Sequence, residues 1–401
     1  MKIALLHYSF WPEWGGVENM VRDQANMLAR AGHEVRVLTG SGQTVDEDYE
    51  VMVMPELAPD FELNRLVRAV LDRGQSDQNF SQYRSVLVDA FAGALAGFEV
   101  LIAHNVLTMH FNLALTQALH DIAPNGKIVA WTHDLTATNS DYALPNPTKP
   151  PWNLMRTACA DVTYVATSDF RAKELKNTLK LKTEPIVIPN VVDPARLFAL
   201  TPEMVESLIS LEIPWHDFVF LLPARLMIRK NIEMAIEVVK KLKEQKRNPL
   251  LLITGAKVTN SPASMHYGEF LRKSLPDDLK STIVYVSDFF DVKDETMRDL
   301  YLLSDCLLFP SRQEGFGLPI LEAALHRMPV LCNDIPAYRA LEGEGSFLLD
   351  DLAKLPEAIT WLEALPTFRQ QRRCRRLFDP TVVYHKFYEP FLAPFHPPKT
   401  L

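Results

Sequence analysis

Cysteine is scarce. Four occur in 401 residues, Cys159, Cys306, Cys332 and Cys374, and no two form a CxxC pair. That excludes a disulfide scaffold and gives no zinc-ligand spacing, so the thiols read as free, in a reducing, cytoplasmic compartment. Long apolar runs are missing too. With no stretch of about 18 apolar residues, a transmembrane helix is not expected. The opening MKIALLHYSF has one lysine and a short apolar run with no small-residue cleavage site after it. It reads as a buried strand rather than a signal peptide. Positive charge is also in short supply: 42 Lys and Arg face 50 Asp and Glu, a net charge of −8. A generic nucleic-acid binder needs a basic face, so that class is set aside. Hydrophobic residues at 47% and charged residues at 23% are ordinary for a globular chain. The length suits two domains or three.

What is present is an alternation of short apolar runs with amphipathic helices. Ile3 to His7 is followed by a loop rich in Trp, Pro and Gly, then by Val17 to Ala31 with apolar residues at helical spacing, then by the strand EVRVLT from Glu34. That is a βαβ unit, which implies a parallel sheet. Further strands are expected at 100–103, 127–132, 161–167 and 185–189, and residues 56–95 read as largely helical. Pro194, Pro202 and Pro214 mark a boundary. A second series follows, with strands at 217–222, 249–254, 282–286, 306–309 and 330–332, and a helix over 231–246. The spacing predicts two Rossmann-like doubly wound α/β domains: residues 1–195, rejoined by a crossover helix over about 380–401, and residues 196–379. Such domains bind ligands at the carboxyl ends of their strands, across a cleft between them.

The informative residues stand there. Glu314, Gly315, Phe316, Gly317 and Leu318 follow the strand CLLF and open a helix that carries Glu322. The glycines let backbone approach a ligand, the helix start suits phosphate, and the two carboxylates suit sugar and ribose hydroxyls. Arg225, Arg229 and Lys230 flank a loop between a strand and a helix, which is an anion site or a solvated charge run. His104 and His133 each end a strand. Gly16 follows the first strand, and Trp11 and Trp14 flank its loop, either as a stacking platform or as packing surface. No Asp-x-Asp pair is read in a loop after a strand, so no metal is expected.

At Glu314–Glu322 the chain resembles a family. The Glu-x7-Glu spacing in EGFGLPILEA is similar to that of the retaining family-4 glycosyltransferases of GT-B fold, the glycosyl transferases group 1. Gly15-Gly16-Val17-Glu18, Ile188-Pro189-Asn190-Val191-Val192-Asp193, and Ala224-Arg225-Leu226 through Arg229-Lys230-Asn231 resemble its other motifs in order. The resemblance implies transfer of a hexose from a nucleotide diphosphate sugar to a hydroxyl of a saccharide, lipid-linked or small-molecule acceptor, with retention and no cofactor. It gives Arg225 and Lys230 the diphosphate, Glu314 and Gly317 the sugar, and Glu322 the ribose, with Gly16, Gly315, Phe316 and Leu318 lining the donor site. His133, in His133-Asp134, orients the donor sugar or the acceptor hydroxyl, and Trp14 and His104 fall on the acceptor side. Arg229 is expected to point to solvent. The rivals are a non-catalytic nucleotide-sugar-binding protein and a GT-B nucleotide-sugar epimerase.

Two features are weaker. The proline-rich loop 136–152 is expected as a surface loop, with the acceptor border as the alternative. The basic run Arg369 to Arg376 is expected as a solvated helix face, with peripheral contact to the anionic inner face of a membrane as the alternative. Arg327-Met328, Asn231 and Ala340-Leu341 depart from the family pattern, the last near the nucleobase side, where Glu342 is shifted.

Overall fold

The computed structural model describes residues 1–125, 127–255, 262–339 and 346–395. Ala340, Leu341 and Glu342 lie outside the described residues. The chain divides into two compact units, Met1–Val192 with the segment from Pro380 onward, and Asp193–Asp379.

The first unit holds β1 (Lys2–Ser9), β2 (Glu34–Ser41), β3 (Glu50–Val53), β4 (Val100–His104), β5 (Ile128–Thr132), β6 (Val162–Ala166) and β7 (Ile186–Val187). They form one parallel sheet in the order β3-β2-β1-β4-β5-β6-β7. The central strands are buried along their whole length, as β4 VLIAH and β5 IVAWT show. Strands covered on both faces read as continuous apolar runs, which is why these were legible. One face packs Leu6, Leu101, Leu115 and Leu119, the other Ile3, Val21, Leu28 and Ile102.

The second unit holds β8 (Phe218–Leu222), β9 (Pro249–Ile253), β10 (Ile283–Tyr285), β11 (Cys306–Phe309), β12 (Val330–Cys332) and β13 (Ser346–Leu348), in the order β10-β9-β8-β11-β12-β13. Each unit therefore reverses its strand order once, between β1 and β4 and between β8 and β11. At a reversal the flanking loops leave toward opposite faces and open a crevice at the carboxyl ends of the strands. The ends of β1, β4, β8 and β11, with that of β5 for His133, carry the candidate residues of the sequence.

The segment from Pro380 packs on the first sheet. It is not one regular helix: a π turn, Tyr384–Tyr388, separates Pro380–Val383 from Glu389–Leu392. Tyr388 is fully buried, stacks on Trp131 at 5.4 Å and accepts a 2.7 Å hydrogen bond from Gln24.

The basic run is a solvated face only in part. It forms the helix Pro366–Phe378, three of whose arginines reach a buried carboxylate, Asp305, and a half-buried one, Asp217. Arg375 binds Asp305 through both terminal nitrogens, at 2.5 and 2.9 Å, and Asp305 is only 2% exposed. Arg372 and Arg376 pair with Asp217. The arginines most available to a lipid surface are thereby reduced to Arg373 and Arg369, which are exposed.

Candidate functional site

In the second unit, two loops meet at the β8/β11 crevice. After β8, residues Ile228–Lys230 form a single 3-10 turn, and Asn231 takes a left-handed backbone (φ 53°) before the helix Ile232–Glu244 begins. After β11, the loop runs to Gly317, whose φ of +96° suits a residue without a side chain and starts the helix Leu318–Leu325. The loops are stitched together: Arg312 N donates to Arg229 O at 2.8 Å, and Asn231 Nδ2 donates to Pro310 O at 3.1 Å. Asn231, one of the departures from the family pattern, thus makes a contact that glycine has no side chain to make.

Glu314 sits at this junction with its side chain 9% exposed. Lys230 Nζ donates to one carboxylate oxygen, and Arg229 Nη1 lies 3.2 Å from the other. Burial alone raises a carboxyl pKa. Here the hydrogen bond from Lys230, the nearby Ser311 hydroxyl and the two cations outweigh it and hold Glu314 below its usual value. Lys230 also stands over the Phe309 ring at 4.9 Å. Arg225 is exposed and has no ion-pair partner among the described residues. Arg229 does not point to solvent as expected; it binds Glu314 and, at 2.9 Å, Gln313 O.

Further along the Leu318 helix, Glu322 is exposed and accepts a 2.7 Å hydrogen bond from Tyr301. Tyr301 stacks on His326, with centroids 4.8 Å apart. Gly315 has open space where a side chain would stand, and Phe316 and Leu318 are more than half exposed.

The first unit gathers three histidines at the β1/β4 crevice. His104 Nδ1 and His133 Nε2 are 3.1 Å apart, and His7 Nδ1 donates to His104 O at 3.1 Å. His104 is fully buried. Burial first, then the neighbouring imidazoles, push its pKa well down, and burial takes His133 to about 3. Both are neutral at pH 7. Asn105, in a left-handed conformation, accepts from the backbone N–H of His133 and Asp134 at 2.8 and 3.1 Å and fixes that turn.

His7 and Glu18 escaped the sequence reading as a pair. Glu18 lies 3.7 Å from His7 Nε2 and accepts from Ser9 Oγ at 2.7 Å. His7 first, with Ser9, lowers it to about 2 against the effect of burial. A Cβ at Gly15 would stand 2.0 Å from Glu18 Oε2, and at Gly16 nothing lies within 4 Å of where a side chain would stand. Trp14 is 87% exposed, while Trp11 lies under the Arg22 guanidinium at 5.3 Å.

Contrary to the expectation from sequence, one loop after a strand does hold an Asp-x-Asp, Asp46-Glu47-Asp48 after β2, with Glu47 held by Arg22. Among the described residues no three His, Cys, Asp or Glu side chains converge as metal ligands.

Comparison with known proteins matches both units. Residues 14–196 fit the model of Glycosyltransferase Family 4, and residues 207–376 fit that of Glycosyl transferases group 1. The chain belongs to the group 1 glycosyltransferases. Its pair of parallel α/β units is the GT-B build of that family. It is 27% identical over 272 residues to mannosylglucosylglycerate synthase of Petrotoga mobilis, covering 60% of each chain. It is 24% identical to mannosylglucosylglycerate synthase of Thermotoga maritima over 96% of this chain and 95% of that one. A 77-residue stretch is 38% identical to the serotype-specific mannosyltransferase WbdA of Escherichia coli, 18% of this chain and 9% of that protein. The chain thus spans 60% of the length of the Petrotoga relative it matches.

Proposed function

We propose that this group 1 glycosyltransferase moves a hexose, mannose in the first instance, from a nucleoside diphosphate to a saccharide hydroxyl, with retention and without a metal. The observation that carries it is the junction of Lys230, Arg229 and Glu314 at the strand reversal of the second unit, beside the start of the Leu318 helix. Mannose is chosen because mannosyl transfer is in the names of the Petrotoga, Thermotoga and E. coli relatives.

Arg225, Lys230 and the first N–H groups of the Leu318 helix hold the diphosphate, where negative charge builds as the sugar–phosphate bond breaks. Glu314, kept ionised by Lys230, accepts from the sugar hydroxyls. Glu322 holds the ribose with the oxygen that Tyr301 leaves free. His133, neutral, hydrogen-bonds the sugar or the acceptor. The acceptor oxygen attacks C1 on the face the phosphate leaves. The C1–O bond to phosphate breaks, the bond to the acceptor forms, and the acceptor proton passes to the departing phosphate oxygen. No enzymic nucleophile and no metal is needed.

Thermal unfolding with GDP, UDP and ADP and their hexose conjugates tests the donor. A ligand at 100 times its dissociation constant stabilises by about 2.7 kcal/mol. GDP and GDP-mannose should raise the midpoint most. A shift from none of the nucleotides would remove the proposal.

A further inference from the structure

From sequence His104 is expected on the acceptor side, yet it has no exposed surface to offer an acceptor. What it touches is His133. The strands that lead to them are neighbours, with His104 opposite Trp131 in the β4–β5 register. His104 Nδ1 and His133 Nε2 stand 3.1 Å apart, the ring centroids 5.4 Å apart, and the ring planes are within 22° of each other. The centroids are farther apart than the nitrogens by about one ring's width. The rings therefore meet edge to edge, lone pair to N–H, and do not overlap face to face.

A neutral imidazole has one N–H and one lone pair. Both rings are neutral at pH 7, because burial holds His104 well below its usual pKa and takes His133 to about 3. The hydrogen bond then has two directions to choose between. If His133 donated, the hydrogen of His104 would lie on Nε2, and that atom is buried with no hydrogen-bond partner. Trp131, packed beside His104 at 5.8 Å between centroids, has only an indole N–H, itself buried and unpartnered. His7 uses Nδ1 for the His104 carbonyl at 3.1 Å and turns Nε2 to Glu18 at 3.7 Å. If His104 donates instead, only a bare lone pair is left inside. A buried donor without an acceptor is the rarer and more costly of the two. Donation by His104 puts the hydrogen of His133 on Nδ1. That nitrogen has no partner among the described residues, and His133 is only half-buried. Asn105 Oδ1 holds the His133 backbone N–H at 2.8 Å, which anchors the residue at the carboxyl end of β5.

We infer that His104 is a positioning residue: it donates from Nδ1 to His133 Nε2 and so holds His133 in the tautomer that presents Nδ1–H, a donor and not a base, to an oxygen of the transferred sugar. The use of that donor rests on the glycosyltransfer reading above; the tautomer does not. With its lone pair engaged by His104, His133 has none left for the acceptor proton, in keeping with passage of that proton to the departing phosphate.

The test is a two-bond proton–nitrogen correlation spectrum at pH 7 of the protein labelled in histidine with a heavy nitrogen isotope, with His133 assigned by His133→Ala. Each ring nitrogen is read as protonated or bare. Wild-type His133 should have Nδ1 protonated and Nε2 bare. His104→Asp, whose carboxylate only accepts, should bring a proton onto His133 Nε2. A proton on Nε2 of wild-type His133 overturns the inference, whether or not the variant folds. Single-turnover hydrolysis of GDP-mannose without added acceptor gives the second arm. His104→Leu should slow it by about 3- to 10-fold, the worth of one neutral hydrogen bond, with GDP affinity unchanged. Because His104 acts through His133, adding His104→Leu to His133→Ala should slow hydrolysis no further. An unchanged rate in His104→Leu, or a full further loss in the double variant with circular dichroism unchanged, would contradict the positioning role. Absence of hydrolysis in wild type counts against glycosyltransfer alone, since the spectrum still decides the tautomer.

Discussion

Lys230 and Arg225 reach the same strand end in different states. Lys230 is nearly buried and already neutralised by Glu314, whereas Arg225 is exposed and uncommitted. Removing either should slow single-turnover transfer by about 10²–10³, the usual cost of one preorganised donor to a developing oxyanion. Lys at 225 should restore only part, because a point charge does not replace a fork. Arg229→Ala should now cost more than a surface substitution, since it holds Glu314; near wild-type rates for Arg229→Ala would show that this contact is idle. The histidines make a second prediction. Burial depresses the folded pKa of His104 well below its usual value and that of His133 to about 3, so below about pH 6.5 the unfolded chain binds more protons than the folded one. Their contribution is complete above pH 6.5 and is lost as pH falls, at up to about 1.4 kcal/mol per unit per histidine. The urea midpoint should drop between pH 7 and 5, and less so in His104→Asn. A flat profile would contradict the buried neutral pair.

At the scale of elements, what could be read depended on period. β4, β5, β8 and β11 announce themselves as apolar runs because both faces are covered, and the residues after them are the candidate site. The short edge strands β3 and β13 gave too few residues for any pattern to emerge. The helix Pro366–Phe378 misled for another reason. Its arginines look like a solvated run, and only the fold brings Asp217 and Asp305, many residues away in sequence, against them. Arg375→Ala would leave the Asp305 carboxylate buried with the Val219 N–H, at 2.8 Å, as its remaining donor among the described residues. The cost should be about 3–5 kcal/mol by urea denaturation, as for a broken buried pair. Arg373→Ala, exposed on the same helix, should cost far less; equal losses would mean that the helix acts by its apolar side alone. His7 with Glu18 illustrates the same limit. Each was visible as a residue, but their pairing depends on β1 and the helix Gly16–Arg30 lying side by side.

At the scale of the whole molecule, the candidate residues gather at two strand reversals, one per unit, and the family models match across both. The ordered motifs made the family legible because each falls in a loop where the backbone is constrained. The proposed division of roles stands on the proposal of retention at the anomeric carbon without a metal. Proton NMR of the product formed from GDP-mannose in the presence of EDTA reads both at once. An α-mannoside, matching the donor, is the expected result; a β-mannoside, or activity that returns only with added manganese or magnesium, would contradict it.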